Sequence, residues 1–293
     1  MFAKAYSIVS QFTLPLIVST RMFDKSVRCS LGSFVILNSE GWIATAAHML
    51  NSFPTFDQHK LEIEAYKQSI LLIEQNNKLT EKQKQKKKKG IKVNPEWITS
   101  HSLWWGHDGW NITDIRVLPQ ADLAIGRIIP FNPGDVLEYP TLKDPEKDLI
   151  PGTSLCKLGF PFHQPESTFD ESTGAFILAP GVVPVPRFPI EGIYTRDLEA
   201  GFSPDGKYKI MFLETSSPGL RGQSGGPIFD TRGTLWAIQI QTNHLDLGFN
   251  PRIQRNGKSI EEYQFLNVGI GVHPQTLIAF LKDNGISFKL SSY

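Results

Sequence analysis

The sequence is poor in cysteine, almost balanced in charge, and lacks any long apolar run. Two cysteines in 293 residues cannot form a disulfide-rich scaffold. A net charge of +1 excludes a protein that binds nucleic acid by charge alone. No stretch reaches the roughly 18 apolar residues of a membrane-spanning helix. The apolar fraction of 40% is nevertheless high enough for a sizeable core, so the chain is not generally disordered.

The first 18 residues have a lysine near the start, as an export signal would. Polar residues interrupt their apolar stretch, however, and no small-residue cleavage site follows. We therefore expect a short helix that runs into a strand, and a cytoplasmic protein without a membrane span. Cys29 and Cys156 lie in separate segments of alternating apolar residues, which predicts two buried free thiols.

Short alternating segments separated by Gly, Pro and Asn or Asp turns predict a mostly β protein. Many short strands at this spacing are typical of β-sandwiches and β-barrels. The length of 293 residues corresponds to about two domains or one large all-β domain. A Pro-rich stretch around residues 130–151 would connect two halves. A last helix is predicted at residues 274–284, because Pro274 stands in its first turn and Gly285 beyond its end.

One segment breaks the β pattern. From Asp57 to about Lys89 the spacing of isoleucine and tyrosine residues predicts a helix. The segment ends in a run that places six lysines within residues 82–89. We interpret this run as a solvated, frayed helix end. The alternative, a tether for nucleic acid or anionic lipid, is disfavoured because no aromatic residues interleave the lysines.

Residues 97–110 contain four of the six tryptophans and follow this helical insert. Aromatic side chains of this size usually pack an element onto the body of a protein. We expect that role for most of them. The alternative is that Trp104 and Trp105 line a substrate groove.

Three motifs each contain a residue type that nucleophilic catalysis needs: His48 in TAAH, Asp122 in DLA and Ser224 in GQSGGP. A serine hydroxyl is a poor nucleophile at neutral pH, so a neighbouring imidazole must take its proton. A carboxylate then holds the imidazole in the required tautomer. The glycines around Ser224 permit a tight turn whose backbone N–H groups face a developing oxyanion. We assign those donors to Gly222 and Ser224.

In the order His, Asp, Ser, these motifs resemble those of the trypsin-like serine peptidases of the chymotrypsin fold. Their local sequences are most similar to the HtrA/Deg type. The segment GSFVILNSEGWIATAAH is similar to the first-barrel hairpin of that family. KLGFP and EGIYT are similar to second-barrel segments, and VGIGVHPQTLIAFL to the closing strand and helix. The resemblance covers about residues 30–50, 120–128, 155–161, 190–196 and 212–281.

The resemblance implies an all-β fold of two six-stranded antiparallel β-barrels, with a helical insert and a C-terminal helix. The first barrel would comprise residues 1–130, with the insert at about 51–118, and the second would comprise residues 131–293. Together they would form one peptidase unit with the active site between them. About 20 residues follow the closing strand, so we expect no PDZ domain.

The resemblance also implies a function: a serine endopeptidase that acts through an acyl-enzyme on a protein substrate, with no cofactor and no metal. Limited proteolysis of one intracellular partner, in bacterial signalling or defence, is the role we expect by analogy. The competing hypothesis is a catalytically silent protease fold that serves as a binding or regulatory module. No nucleic-acid partner is expected, and the sequence does not indicate an oligomeric state.

The sequence departs from the secreted trypsins at several positions. Met49 stands where a cysteine usually follows the histidine, and Gln223 stands where an aspartate usually precedes the serine. That aspartate pairs with a new N-terminus after zymogen cleavage, and no IVGG-like start is present. We therefore predict no zymogen cleavage. Loop ordering or an activating protein partner would control activity instead.

Other residues compete for the assigned roles. Asp108 and Asp114 are rivals for the carboxylate, but only Asp122 lies in the family's DLA pattern. Ser216 and Ser217 lie near the nucleophile but lack its glycine context. A metal at His101 or at the His107–Asp108 pair is disfavoured, because no Cys or Glu joins them at ligand spacing.

By the same resemblance, the specificity pocket involves Ser217, Pro218, Thr242 and Asn243. No carboxylate stands at its predicted floor, so a preference for Arg or Lys is not indicated. Thr242 and Asn243 predict a small or polar-lined pocket, and we expect it to accept a small or medium apolar side chain. The alternative is that the side chain of Glu214 or Asp246 extends into the pocket and changes this preference.

Overall fold

Four α-helices and eighteen β-strands form the chain, and the computed structural model describes all 293 residues. The helices are α1 (Ala3–Phe12), α2 (Ser52–Gln75), α3 (Glu81–Lys89) and α4 (Pro274–Asp283). The strands are β1 (Thr13–Met22), β2 (Val27–Ile36), β3 (Trp42–Ala46), β4 (Ile98–Trp104), β5 (Asn111–Leu118), β6 (Leu123–Ile129), β7 (Thr141–Leu142), β8 (Ser154–Gly159), β9 (Ser167–Asp170), β10 (Ala175–Leu178), β11 (Phe188–Phe202), β12 (Lys209–Thr215), β13 (Pro227–Phe229), β14 (Leu235–Asp246), β15 (Arg252–Arg255), β16 (Lys258–Glu261), β17 (Phe265–Val272) and β18 (Lys289–Leu290).

The first six strands form one antiparallel sheet in the order β4-β1-β2-β3-β6-β5. The start of β2 alternates between half-buried and exposed residues, whereas Phe34, Val35 and Ile36 at its end are fully buried. These three side chains join a core cluster of 41 buried residues drawn from both sheets. The two halves of the chain therefore share one core.

The second sheet contains a closed ring of six strands in the order β13-β8-β11-β12-β17-β14, because β13 also pairs with β14. This ring and the first sheet are the two six-stranded antiparallel units that the sequence predicts, so the predicted fold class is confirmed. Two short strands are additions to that prediction: β7 and β18 extend the second sheet beyond β14 through parallel pairings. Each has only two residues, which is too short for a periodic signal in the sequence.

The segment predicted as an insert at about 51–118 contains two helices followed by two strands. Strands β4 and β5 pair into the first sheet, so α2 and α3 are the helical part of the predicted 51–118 segment. The single helix predicted from Asp57 to Lys89 is two helices, and a capping box of Thr80 and Gln83 begins the second one. The lysine run lies on α3, where Lys84 pairs with Glu81 and Lys88 pairs with Glu74.

Aromatic packing attaches α2 to the first sheet, as the tryptophan-rich segment predicts. Trp97 is buried, its ring Nε1 donates to Glu62 Oε2 at 2.5 Å, and Phe23 packs edge-on against it. The N–H of Ile98 donates to His59 Nδ1 at 2.9 Å. Trp105 is buried in the shared core, so packing accounts for the first and third of the four tryptophans.

The predicted terminal helix is confirmed as α4, which begins at Pro274. Cys29 and Cys156 are free thiols, as expected, but only Cys156 is buried; Cys29 is half-buried because it lines the cleft described below. None of the four helices has the combination of length and apolar character that crossing a bilayer requires.

Candidate active site

His48 and Asp122 are brought together by the pairing of β3 with β6, which places Ala46 opposite Leu123. His48 lies in a short 3-10 helix directly after β3, and Asp122 directly precedes β6. The Asp122 carboxylate accepts two hydrogen bonds from His48, one from the backbone N–H at 2.8 Å and one from Nδ1 at 2.6 Å. Asp122 therefore fixes both the backbone and the ring of this histidine.

The contact with Asp122 has a chemical consequence for the imidazole. An ionised carboxylate only accepts hydrogen bonds, so Nδ1 carries the proton in this contact. In the neutral ring, Nε2 is then the atom with a free lone pair. Asp122 itself has a φ of +49°, a left-handed conformation that a non-glycine residue adopts at an energetic cost. Residues in such conformations cluster at functional sites.

Ser224 lies in a tight turn, residues 219–226, which we call the nucleophile turn. Gly222 and Gly225 have φ values of +94° and +85°. A Cβ on Gly225 would lie 2.0 Å from the backbone oxygen of Ser33 in the first barrel. Glycine is therefore required at position 225, because the turn presses directly against β2.

Two of the four unpaired amides of the nucleophile turn are those of Gly222 and Ser224. The N–H groups of Gln223, Gly225 and Gly226 donate to backbone oxygens at 2.7 to 2.9 Å. Those of Gly222 and Ser224 donate no hydrogen bond to any protein atom. These are the two amides that the sequence assigns to an oxyanion hole, and they are available as donors to a ligand.

His48 and Ser224 line the same cleft, which has a volume of about 1390 Å³. The cleft lies between the first-barrel strands β1 and β2 and the nucleophile turn, and the first turn of α2 contributes Ser52 and Thr55. Ser224 Oγ forms no hydrogen bond with His48 in this structure. Two of the three predicted catalytic residues, His48 and Asp122, are therefore in contact, and the third lines the cleft beside His48.

The rival residues lie elsewhere. Asp108 accepts a hydrogen bond from the Trp104 ring at 2.7 Å, and Asp114 is exposed on β5. Ser216 Oγ accepts from the Ile193 N–H at 3.0 Å. Trp104 and Trp105 do not line the cleft either, which leaves the groove alternative for them without support.

Two of the four predicted specificity-pocket residues, Ser217 and Pro218, contact a lysine that the motifs do not reveal. Lys157 Nζ donates to Ser217 Oγ at 2.7 Å and to Pro218 O at 3.1 Å. Thr242 Oγ1 donates to Gly219 O at 2.6 Å, while Asn243 Oδ1 accepts from Gln241 at 2.9 Å. The available signal is a single lysine inside the apolar strand SLCKLG of β8.

Glu214 and Asp246, the two carboxylates considered as alternative pocket residues, both bind other groups. Glu214 is buried, and both of its oxygens accept from Arg196 at 3.0 Å. Asp246 lies at the exposed end of β14 and accepts from the N–H of Gly248 at 2.8 Å. Neither contacts Lys157.

Burial shifts the pKa of two neighbouring groups on β8. It lowers the pKa of the Lys157 ammonium to about 7 and raises the pKa of the Cys156 thiol to about 12. The cause is the same, since the charged form of either group loses its hydration inside the barrel.

Residues 32–238 match the family described as trypsin-like peptidase domain. Among solved structures, the chain is similar to an HtrA-type protease AlgW with a tripeptide, at 17% identity and a TM-score of 0.48, over 98% of this chain and 65% of that one. Two structures of a Ser-to-Ala variant of that protease are similar at 16% and 14% identity, with TM-scores of 0.47 and 0.49. They cover 98% and 97% of this chain and 64% and 68% of theirs.

The chain thus spans about two thirds of the length of these solved structures. No curated protein matches its sequence. The family match extends from β2 into β14 and includes all three motifs. Because that match covers well over half of the chain, this protein belongs to the trypsin-like peptidase family, as its motifs predicted.

Proposed function

We propose that this protein is an active serine endopeptidase with Ser224 as nucleophile, His48 as general base and Asp122 as the residue that orients His48. The observation that carries the proposal is the double hydrogen bond between His48 and Asp122 beside the cleft that Ser224 lines. A free imidazole Nε2 and a serine in one cleft supply the base and the nucleophile of acyl transfer.

The reaction follows from these positions. Ser224 Oγ attacks the carbonyl carbon of the scissile peptide bond while His48 Nε2 takes the hydroxyl proton. The oxyanion that forms accepts hydrogen bonds from the N–H groups of Gly222 and Ser224, which have no partner within the protein. His48 then gives its proton to the leaving amine, and the acyl-enzyme remains. Water repeats the sequence and releases the acid.

The separation of Ser224 from His48 fits an enzyme at rest. Catalytic hydrogen bonds are often long without substrate and tighten when it binds.

We further propose limited proteolysis of one specific protein in the cytoplasm, under the control of an activating protein partner; bacterial signalling or defence is the setting we infer by analogy. Support comes from the position of α2, a 24-residue helix whose first turn reaches the cleft at Ser52 and Thr55. A partner bound along this helix would act on the cleft directly.

A fluorophosphonate probe tests the proposed chemistry. The wild-type protein is expected to form a covalent adduct on Ser224, while Ser224→Ala does not. Loss of a triad residue typically lowers kcat by about 10⁴-fold or more. Ser216→Ala is the matched control, because Ser216 lies near the turn but outside the cleft. An inert wild-type protein would favour the silent binding module.

A further inference from the structure

Lys157 is a buried cation without an acidic partner. The residue is 1% exposed, and its ammonium donates only to neutral oxygens, those of Ser217 and Pro218. The one titratable group that acts on it is the Cys156 thiol, which burial keeps neutral. A buried cation is ordinarily paired with a carboxylate, because its lost hydration is otherwise uncompensated.

The ammonium lies among the walls of the predicted specificity pocket. Beside Ser217 and Pro218, it reaches the space above Gly269, where an added Cβ would lie 2.8 Å from Nζ. Gly269 is the register partner of Thr242 on the neighbouring strand β14. Lys157 therefore lies where the loop of Ser217 and Pro218 approaches the paired strands β14 and β17.

The pocket walls are polar and touch one another. Thr242 Oγ1 donates to Gly219 O at 2.6 Å and joins the two sides. The Gln239 amide lies against Gly219 as well. An apolar side chain that entered between Thr242 and Gly219 would leave the Thr242 hydroxyl without an acceptor, whereas a carboxylate would supply one, which argues against the apolar preference expected from the sequence.

We propose that Lys157 forms the floor of the specificity pocket and selects substrates with aspartate or glutamate on the acyl side of the scissile bond. The incoming side chain parts Thr242 from Gly219, and its carboxylate becomes the missing partner of the ammonium. Arg221, exposed at the rim of the cleft on the nucleophile turn, adds a second positive charge on the same approach. This inference rests on the proposed function.

Peptidyl diphenyl phosphonates that differ only in the side chain next to phosphorus test the selection. Each labels an active-site serine at a measurable rate. We expect the glutamate and aspartate probes to label wild-type protein at least ~100-fold faster than the valine and leucine probes, as for a charged group that finds its buried partner. Lys157→Met, which keeps the apolar stem, is expected to abolish this preference while labelling by the valine probe is retained.

Lys143→Met is the matched control. Lys143 is also a buried lysine of the second barrel, but its ammonium donates to Tyr293 O, away from the cleft. Equal labelling of wild-type protein by acidic and apolar probes would overturn the acidic preference alone. If Lys157→Met were labelled more slowly by every probe to the same extent, Lys157 would serve only to hold the loop at Ser217 and Pro218 in place. That result would also overturn the acidic preference. No labelling by any probe, the fluorophosphonate included, would instead contradict the proposed function.

Discussion

Ser33 in the first barrel donates its hydroxyl proton to the backbone oxygen of Gly222 in the second barrel, at 2.7 Å. Its backbone N–H also donates to Ser224 O, at 2.8 Å. One buried residue of β2 thus holds the carbonyl groups of both residues whose amides we assign to the oxyanion hole. The orientation of the proposed oxyanion donors depends in this way on contact between the barrels.

Replacing Ser33 by alanine is expected to lower kcat about 10-fold with little change in KM, because the turn loses one of its restraints while the cleft stays open. The lost buried hydrogen bond should lower the free energy of unfolding by about 1 kcal/mol. Peptide hydrolysis and urea unfolding measure the two effects. Ser102→Ala, on the exposed face of β4, should change neither. An unchanged kcat in Ser33→Ala would show that the turn keeps its shape without this bond.

Asp122→Asn keeps the size of the side chain but removes the charge that fixes the His48 tautomer. The expected result is a fall in kcat by about 10⁴-fold, as for other triads. Asp114→Asn is a demanding control, because Asp114 also has a positive φ, +51°, and lies in the same sheet. It should retain full activity. If both variants hydrolysed peptides at the wild-type rate, Asp122 would not orient the base.

Sequence motifs predict the parts of the site that local chain geometry determines. TAAH ends a strand and DLA begins one, so their pairing in adjacent strands is implied by the family pattern. The nucleophile turn is readable for the same reason, since its glycines have conformations that other residues avoid. Each of these signals lies within a few consecutive residues.

Lys157 could not be predicted in this way. Its three acceptors lie about sixty positions further along the chain, on residues 217 and 218. A lysine in an apolar strand gives no sign of which loop will cover it. The place of β4 in the first sheet is hidden from the sequence for a related reason, because β4 pairs with β1, far earlier in the chain; His101 lies opposite Thr20, for example.

The attachment of α2 to the first sheet is testable at Trp97. Trp97→Ala removes a buried ring together with its hydrogen bond to Glu62, and such truncations typically cost about 3–5 kcal/mol. We expect a matching loss in urea unfolding and faster proteolytic cleavage within α2. Trp97→Phe, which keeps packing but lacks the donor, should lose less. Equal stability of all three proteins would mean that α2 is held by other contacts.

The buried ammonium of Lys157 predicts a specific dependence of stability on pH. Its pKa is about 7 in the folded protein against 10.5 for an ordinary lysine. Between these values the unfolded chain binds the proton and the folded protein does not, so this residue makes stability rise with pH by up to about 1.4 kcal/mol per unit. Below that window both states hold the proton, and the slope disappears.

Lys157→Met removes this contribution, so its stability advantage over wild type should be largest near pH ~6 and should shrink toward pH ~10. Urea unfolding of both proteins across this range measures the difference, in which the titration of all other groups largely cancels. Lys258→Met, on the exposed strand β16, controls for the loss of a surface charge. A difference between Lys157→Met and wild type that stays constant with pH would mean that Lys157 keeps its proton inside the barrel. The ammonium would then face an incoming carboxylate fully charged throughout the neutral range.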